Sequence, residues 1–350
     1  MMDNINIVSD KSHSDYVQDI RNSGGEIYVV GGAVRNYLYN YFHSTNIEIK
    51  DFDYLVRKLD ETTIITILTK YGKTKEVGAS FGIIILNYNS ENYEFALPRK
   101  EISTGYGYTD FVIDCDKDLI IEEDFRRRDA TINAIGFPIY SLTDLEFLDI
   151  NKNKIPQFEK FIDPFDGMTD IKNKIWKCVE DPSKRFIEEP NRIMRAFRQS
   201  VELDLTIDSL TLKGIKENCG LIKEMMPKSY SRIFNELLKM LSINNRSKKN
   251  YLEIMRDFGI LDILGIINPN LNVKNTSLLI KFASLIKCHE IKDIEKWLNE
   301  RQISAIKYLS PLSSKIIITP FSVNIGTLYY LVFSSYIFIK SFACINKYLK

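Results

Sequence analysis

The pattern of hydrophobic and polar positions along the chain changes near residue 163. Before that point, short apolar runs alternate with stretches in which apolar residues recur at helical spacing. After it, helical periodicity dominates and few strand signals remain. The pattern therefore predicts an α+β fold, with an N-terminal mixed-sheet head followed by an all-helical body.

In the first part, an apolar run over residues 27–31 predicts a strand that ends at a glycine pair, and helical spacing follows over 33–42. The other elements predicted there are a strand at 53–56, a helix at 60–70 with Asp60 as its N-cap, and a hairpin of strands at 81–87 and 93–97.

The second part contains stretches that each resemble an amphipathic helix, at residues 184–203, 208–225, 229–243 and 247–264. We therefore divide the chain into a polar leader with one helix (1–26), a head (27–162), a helical body (163–265) and a helical C-terminal region without assignment (266–350).

Composition excludes some classes of site. The chain has 350 residues, with 47 Lys and Arg against 46 Asp and Glu, a balance that neither requires nor excludes a nucleic-acid partner. Five scattered cysteines without a C-x-x-C pair and three isolated histidines argue against a disulfide framework and a zinc site. Together with a polar, acidic N-terminus, this predicts a cytoplasmic protein.

Residues 316–339 carry no charge and are long enough to cross a bilayer. Proline, glycine and polar residues interrupt this stretch at Pro320, Asn324, Gly326, Ser334 and Ser335. We therefore favour a buried helix pair, and a tail that contacts a membrane is the alternative.

Candidate chemistry begins with two carboxylates, Asp51 and Asp53, at the start of a predicted strand. Residues i and i+2 of a strand point to one face, so both side chains project together, and a divalent cation between them would relieve their repulsion. Glu94, on a strand predicted nearby, could complete the metal shell or activate an attacking hydroxyl. The alternative for all three is a solvated surface carboxylate.

Gly31 and Gly32 lie at a predicted strand-to-helix turn, and Arg35 follows them. Glycines at such a turn let backbone amides approach a phosphate at the helix N-terminus, and the arginine can add a charge-assisted contact. The alternative is an ordinary tight turn with an exposed arginine.

Three successive arginines, Arg126, Arg127 and Arg128, precede Asp129, and Asn133 follows in the next predicted strand. Clustered guanidinium groups suit a clamp on a triphosphate. The alternative is a solvated helix end.

A further group, Glu188, Glu189, Arg192 and Arg195, recurs at one-turn spacing and would share one helix face. A carboxylate and a guanidinium on one face can offer an acceptor and donors to the edge of a base. A ladder of salt bridges is the alternative.

In order and spacing, these segments resemble the tRNA nucleotidyltransferase and bacterial poly(A) polymerase family, class II of the DNA polymerase β superfamily. The similarity extends over residues 27–265, about two-thirds of the chain, and several segments are closest to the bacterial CCA-adding type. The segments that carry it are GGAVR, DFDYLV, ALPRKEISTGYGYTDF, RRRDATINAIGF, IDPFDGMTDIKNKIWKCV, RFIEEPNRIMRAFRQS, SYSRIFNELLKML and YLEIMRDFGILDIL.

The resemblance implies a polymerase β-like head and template-independent addition of CMP and AMP, from CTP and ATP, to the 3′ end of tRNA, with release of pyrophosphate. It implies a two-metal Mg2+ site, which Mn2+ could also fill, and no DNA partner. The implied roles are metal binding by Asp51 and Asp53, contact with the incoming nucleotide by Gly32 and Arg35, binding of triphosphate and ribose by Arg128, Arg195 and Arg198, and base recognition by Glu189 and Arg192.

The sequence departs from the family pattern at two positions within these motifs. Asn36 stands where the family has Asp, and Glu189 is one methylene longer than the family's Asp. Because base selection depends on where hydrogen-bonding atoms lie, the second departure bears on the choice between C and A.

Two alternatives remain for the function. One is a poly(A) polymerase or another RNA-tailing enzyme on the same head, and the other is a catalytically idle RNA-binding protein. The identity of the RNA, the oligomeric state and the role of residues 266–350 stay open.

Overall fold

The computed structural model describes residues 12–49, 52–77, 82–89, 91–105, 110–140, 156–243 and 250–266. The chain divides into two compact units, residues 1–263 and 264–350. All elements below belong to the first unit.

Its strands are β1 (Glu26–Val30), β2 (Asp53–Arg57), β3 (Lys73–Val77), β4 (Ile83–Tyr88), β5 (Glu91–Ala96), β6 (Arg99–Ser103), β7 (Phe111–Cys115), β8 (Gly136–Pro138), β9 (Ile175–Trp176) and β10 (Thr206–Ile207). A six-stranded mixed sheet has the order β3-β4-β5-β2-β1-β8. Within it β2 and β5 run parallel, and the other neighbours are antiparallel. The β6–β7 hairpin and the parallel pair β9–β10 form separate small sheets.

The helices are α1 (Ser12–Asn22), α2 (Gly32–His43), α3 (Glu61–Leu68), α4 (Ile121–Arg126), α5 (Gly167–Lys172), α6 (Pro182–Glu188), α7 (Asn191–Glu202), α8 (Ser209–Asn218), α9 (Leu221–Ser242), α10 (Tyr251–Asp257) and α11 (Ile260–Ile263). Short 3-10 turns occur at Thr131–Asn133 and Phe158–Lys160. The mixed sheet followed by helices confirms the predicted α+β fold.

One face of the sheet is covered by α1, within the segment that the sequence predicts to be a polar leader. Tyr16 and Ile20 of this helix are fully buried. The Tyr16 ring packs edge-on against Tyr54 of β2 and Phe95 of β5, with centroids 6.1 and 5.5 Å away. Residues 12–22 therefore contribute to the core of the head.

The other face of the sheet is covered by α4. Tyr28 and Val30 of β1 and Leu55 of β2 form one buried cluster with Ile121 and Phe125 of α4. Since side chains alternate across a strand, this is also the face of Asp53, two residues before Leu55. The packing of α4 therefore brings the arginines at its C-terminal end toward the start of β2.

Most of the local predictions for the head are confirmed. Asp60 caps α3, accepting a hydrogen bond of 2.8 Å from the Thr63 backbone N–H. The strands β1, β2, β4 and β5 and the helix α2 lie where the pattern places them. Strand β3 and the β6–β7 hairpin were missed because charged residues interrupt their apolar alternation.

The helix predicted over 184–203 is wrong as a single element. Pro190 disfavours helical backbone at the preceding residue, and Glu189 adopts φ −146° and ψ 96°. The chain therefore forms two helices, α6 and α7. Within α9, Ser229 has the non-helical angles φ −140° and ψ 31°, so two helical segments meet at a kink close to the boundary predicted between 208–225 and 229–243.

In the described residues, no helix combines the length and the apolar character needed to cross a membrane. The uncharged stretch 316–339 lies outside the described residues.

We predict that Tyr16→Ala lowers the free energy of unfolding by about 3–5 kcal/mol, since a buried aromatic ring is replaced by a cavity. Urea unfolding monitored by circular dichroism measures the shift in midpoint. Gln18→Ala, an exposed change on the same helix, is the control and should leave the midpoint unchanged. Equal midpoints for the two variants would show that α1 does not stabilise the head.

Candidate active site

The turn from β1 into α2 is formed by Gly31 and Gly32, called the glycine turn below. Gly31 has φ 73° and ψ −131°, a left-handed conformation that side chains disfavour. A Cβ atom at Gly31 would lie 3.4 Å from the Asp53 Oδ2 atom and 3.5 Å from the Arg128 Nη1 atom. The missing side chain thus leaves a cradle between a carboxylate and a guanidinium, beside the free N–H groups at the start of α2.

Asp53 and Glu94 are brought together by strand pairing. Their Cα atoms are partners across the parallel β2–β5 ladder, so their side chains leave the sheet on the same face. Asp51 lies outside the described residues. Within the described part of the chain, no group of three His, Cys, Asp or Glu side chains could hold a metal ion.

The donor set nevertheless fits a hard divalent cation. Asp53 presents a carboxylate to the cradle at the glycine turn, and Glu94 supplies further oxygen atoms on the same face. Mg2+ prefers such oxygen ligands and keeps places for phosphate oxygens. These two residues, with Asp51 from the preceding segment, are the ones that could hold it.

Arg35 is buried in the first turn of α2, with 8% of its surface exposed. Its Nε and Nη2 atoms donate to the Asn36 side-chain oxygen over 3.1 and 2.9 Å. Its Nη1 atom donates to the Asn133 side-chain oxygen over 2.7 Å. Burial lowers the pKa of the Arg35 guanidinium to about 10. The alternative of an exposed arginine at this turn is therefore excluded, and the guanidinium is fixed in place.

Asn133 connects this turn to the helical body. Its side-chain amide donates to Asp129 over 2.8 Å and to Gln199 of α7 over 2.9 Å. The other oxygen of Asp129 accepts from Arg195 Nε, also on α7, over 2.7 Å. A continuous hydrogen-bond chain therefore runs from Arg35 through Asn133 and Asp129 to Arg195.

Asp129 is buried and ionised within this chain. Burial alone would raise its pKa, but the charge of Arg195 and the hydrogen bonds from Arg195 and Asn133 hold the pKa well below its ordinary range. The hydrogen-bonding groups of Asp129 and Asn133 are thus bonded to other side chains of the protein. The geometry indicates that they position the glycine turn and α7.

The three successive arginines diverge. Arg126 is exposed and forms an ion pair with Glu180 at 2.6 Å. Arg127 turns to Asp124, at 2.8 Å. A clamp built from all three, as the sequence suggested, is therefore wrong, and Arg128 is the member that reaches the glycine turn.

Arg128 is held in place by three contacts with the protein. Its Nη1 atom donates to the Asn133 carbonyl over 2.9 Å, and its guanidinium carbon lies 4.7 Å from the centre of the Phe125 ring. Asp124 is 3.5 Å from its Nη2 atom. These contacts fix the guanidinium with one edge directed to the cradle.

Glu189 and Arg192 do not lie on one helix as predicted, because Pro190 separates α6 from α7. They still approach one another, with 3.6 Å between Arg192 Nε and Glu189 Oε2. The Oε1 atom of Glu189 lies 3.1 Å from Nη1 of Arg232, on α9. This oxygen is buried and accepts no hydrogen bond from any described residue.

Arg192 is almost fully buried and rigidly held. It donates to the carbonyl oxygens of Arg127 and Arg185 over 2.8 and 3.2 Å and to the Glu188 carboxylate over 2.9 Å. Most of its N–H groups are occupied by the protein. Its Nε–H, beside Glu189, is the donor best placed to meet a bound molecule.

Arg195 and Arg198 are both paired with carboxylates. Arg198 donates to Glu236 of α9 over 2.5 Å and to Glu202 over 2.6 Å, and Arg195 Nη1 lies 3.8 Å from Glu236. Sequence reasoning did not assign a role to Glu236 or to Arg232. Their spacing of four residues in the segment SYSRIFNELLKML was the signal that could have identified them.

We predict that Asp129→Asn lowers the free energy of unfolding by about 2–4 kcal/mol at pH 7, because it leaves Arg195 without its carboxylate. Folding lowers the pKa of Asp129, so the ionised group stabilises the fold above its unfolded-state pKa of about 3.9, and that stabilisation is lost as the pH falls below it. The difference from wild type should therefore shrink between pH 5 and about pH 3.

Urea unfolding at several pH values measures this difference. Asp118→Asn, in the exposed ion pair with Lys58, is the matched control and should leave the midpoint unchanged at every pH. A pH-independent effect of Asp129→Asn would contradict the ionised assignment.

Comparison with known proteins shows which families and relatives the chain resembles. Residues 27–177 match the family model of the poly A polymerase head domain, and residues 204–272 match the model described as the probable RNA and SrmB-binding site of polymerase A. The CCA-adding enzyme of Lactobacillus helveticus is 30% identical over 227 residues, which cover 64% of this chain and 48% of that protein. The chain spans about half the length of the curated relatives it matches.

Solved structures show the same fold. The Bacillus stearothermophilus CCA-adding enzyme in complex with CTP superposes with a TM-score of 0.60 at 22% identity, covering 85% of this chain and 69% of that one. The Thermotoga maritima CCA-adding enzyme complexed with tRNA(CCA) gives a TM-score of 0.58 at 17% identity, covering 85% and 68%. Two models described for polymerase A thus match residues 27–177 and 204–272 in that order, and the fold is similar to that of the CCA-adding enzymes.

Proposed function

We propose that the protein adds CMP and AMP, from CTP and ATP, to the 3′ end of tRNA in the cytoplasm, without a nucleic-acid template. The observation that carries the proposal is the cradle at the glycine turn, where Asp53, Arg35 and Arg128 meet the N-terminus of α2. The relatives named CCA-adding enzyme, and the related structures that hold CTP or tRNA, support this choice of substrates.

In the proposed reaction, the terminal 3′ hydroxyl of the RNA attacks the α-phosphate of the nucleotide and pyrophosphate leaves. Asp53 and Asp51 would hold Mg2+, and Glu94 would complete the donor set or accept the hydroxyl proton. When bound, the cation lowers the pKa of the hydroxyl and stabilises charge on the leaving oxygens. Mn2+ has the same ligand preferences and could replace it.

The triphosphate binds to fixed donors. The N–H groups of the glycine turn and the guanidinium groups of Arg35 and Arg128 lie around the cradle. Hydrogen bonds to Asn133 hold both guanidinium groups in place before an anion binds. Such preorganised donors stabilise developing negative charge without rearrangement. Arg195 and Arg198, which lie on α7 and are paired with carboxylates, would bind the triphosphate and ribose from that helix.

Base recognition falls to Glu189 and Arg192. The Oε1 atom of Glu189, which is ion-paired with Arg232 but accepts no hydrogen bond from a described residue, can accept one from the exocyclic amine of cytosine or adenine, and Arg192 Nε can donate to a ring nitrogen or carbonyl. Uracil and guanine present a carbonyl where the amine should be. A carboxylate cannot donate to it, so these bases are rejected.

The test of the function uses tRNA transcripts that end at the discriminator base, at C and at CC, each incubated with one nucleoside triphosphate or with CTP and ATP together. We expect CMP on the first two, AMP on the third, and termination after CCA. Continued extension with ATP would identify an RNA-tailing polymerase instead. Binding of tRNA without extension would identify a catalytically idle protein.

We predict that Asp53→Ala reduces nucleotide incorporation by at least about a hundredfold at saturating Mg2+, because several kcal/mol of metal-derived stabilisation are lost. Single-turnover extension of a labelled tRNA measures the rate, and a thermal melt verifies the fold. Glu76→Ala, which removes an exposed carboxylate from the same sheet, should extend at the wild-type rate. Normal incorporation by Asp53→Ala would exclude it as a metal ligand.

We predict that Glu189→Ala reduces the preference for CTP and ATP over UTP and GTP by tens- to hundreds-fold, since an unpaired buried charge costs on the order of 2–3 kcal/mol. The ratio of kcat/KM among the four nucleotides is the measurement. Glu189→Asp retains the carboxylate and should keep most of the preference. Wild-type selectivity in Glu189→Ala would mean that other residues recognise the base.

A further inference from the structure

Arg35 differs from its neighbours in the groups that accept its hydrogen bonds. Arg195 and Arg198 pair with carboxylates at 2.7 and 2.5 Å. The acceptors of Arg35 are the side-chain amide oxygens of Asn36 and Asn133, and no described carboxylate lies within ion-pair distance of it. Its positive charge is therefore buried and held in place, but not neutralised by a direct partner.

The orientation of this charge is fixed mainly by Asn36. One oxygen atom of Asn36 accepts from both Nε and Nη2 of Arg35, while Asn133 accepts from Nη1. A guanidinium has five N–H groups, so two remain. The Nη2 atom, which carries one of them, lies 3.7 Å from the position that a Cβ of Gly32 would occupy, beside the glycine turn.

An uncompensated charge in this position favours a polyanion. Coulombic attraction is stronger where protein replaces water, and the attraction is greatest when no bound carboxylate must be displaced or screened. Burial lowers the pKa of Arg35, and the more distant carboxylates of Glu202 and Asp129 offset this cost of burial only in part. A polyphosphate that arrives at the glycine turn would remove that cost.

We propose that Asn36 is a positioning residue that sets the charge of the polyphosphate site: its neutral oxygen orients Arg35 toward the glycine turn and leaves the guanidinium charge available to a polyphosphate. The polyphosphate is the triphosphate of a nucleotide or a free chain such as pyrophosphate. The identification with a nucleotide rests on the proposed function. The charge-setting role of Asn36 does not.

An aspartate at this position would make the same two hydrogen bonds but add a negative charge beside Arg35. The resulting ion pair would compete with the polyphosphate for the guanidinium. It would also lose the weak contact from the Asn36 amide nitrogen to the Glu48 carbonyl, at 3.5 Å. An alanine would keep the charge free and release its orientation. The two substitutions therefore separate charge from orientation.

The test is calorimetric binding of inorganic tripolyphosphate to the full chain at several salt concentrations. Asn36→Asp should weaken binding about tenfold and flatten its dependence on salt, since one net positive charge is removed from the site. Asn36→Ala should weaken binding a few-fold with the salt dependence retained. Asn46→Asp, at an exposed position just after α2, adds the same charge away from Arg35 and should bind as wild type does.

Kinetics distinguish the nucleotide from the free polyphosphate. If the triphosphate of CTP is the ligand, Asn36→Asp should raise the KM for CTP by a similar factor and leave kcat within about twofold. If tripolyphosphate binding changes and KM does not, the site serves the free polyphosphate. Binding of tripolyphosphate needs no tRNA, so this result stands or falls independently of tRNA extension.

Three outcomes would overturn the proposal. Asn36→Asp could bind tripolyphosphate as tightly as wild type, Asn46→Asp could weaken binding equally, or Asn36→Asp and Asn36→Ala could give the same affinity and the same salt dependence. If Asn36→Asp does not fold, wild-type binding by Asn36→Ala would still exclude the positioning role.

Discussion

The buried charge of Asp129 is the constraint on which the rest of the site depends. A carboxylate so deep in the protein remains ionised because Arg195 approaches it from α7 and Asn133 donates to it from the 3-10 turn after α4. Removing Arg195 would leave this buried charge without its ion-pair partner, at a cost larger than the pair itself contributes. The head and α7 therefore have one favourable arrangement, and that arrangement fixes the glycine turn.

Asn133 transmits this constraint because it uses both ends of its amide. Its nitrogen donates to Asp129 and Gln199, and its oxygen accepts from Arg35. Aspartate could not donate, and leucine could do neither. The residue is therefore better described as the junction between α2 and α7 than as a direct ligand, while its role toward a nucleotide stays a prediction.

The arginines of the site divide by their partners. Arg127, Arg195 and Arg198 lie within 2.8 Å of carboxylates, which makes them structural ties as much as anion-binding groups. Arg35 has amide oxygens as acceptors, and Arg128 has a carbonyl oxygen and a more distant carboxylate at 3.5 Å. Carboxylates therefore neutralise the arginines that connect one element to another, while the arginines at the glycine turn keep charge available for an anion.

Local chemistry explains which parts of the fold and site could be predicted. The glycine pair at the end of β1 and the capping Asp60 at the start of α3 could be predicted, since each acts on its own neighbours in the sequence. The break between α6 and α7 at Glu189 also has a local cause, Pro190. It was not predicted because helical periodicity continues on both sides of the proline. Local patterns predict elements, and they fail where one residue outweighs a long periodic stretch.

The partners within the site could not be predicted in this way. Arg35 meets Asn133 from 98 residues away, and Arg198 meets Glu236 across 38 residues. The motif resemblance assigned roles to Arg35 and Arg198 but none to Glu236, and it did not separate residues that face the cradle from residues that hold the surrounding structure. That separation depends on which side chains share a hydrogen bond, which follows from tertiary packing.

For Glu189, the base recognition that we propose depends on such a distinction. Its side chain is one methylene longer than the family pattern, and a local argument would move the acceptor atom further into the site. Its carboxylate instead lies between Arg192, at 3.6 Å, and Arg232 of α9, at 3.1 Å. Two arginines from different helices fix the end of the side chain, while Pro190 fixes the backbone at its start. The extra methylene therefore changes how the side chain runs from its backbone to its carboxylate. The position of the carboxylate is set by the two arginines that surround it.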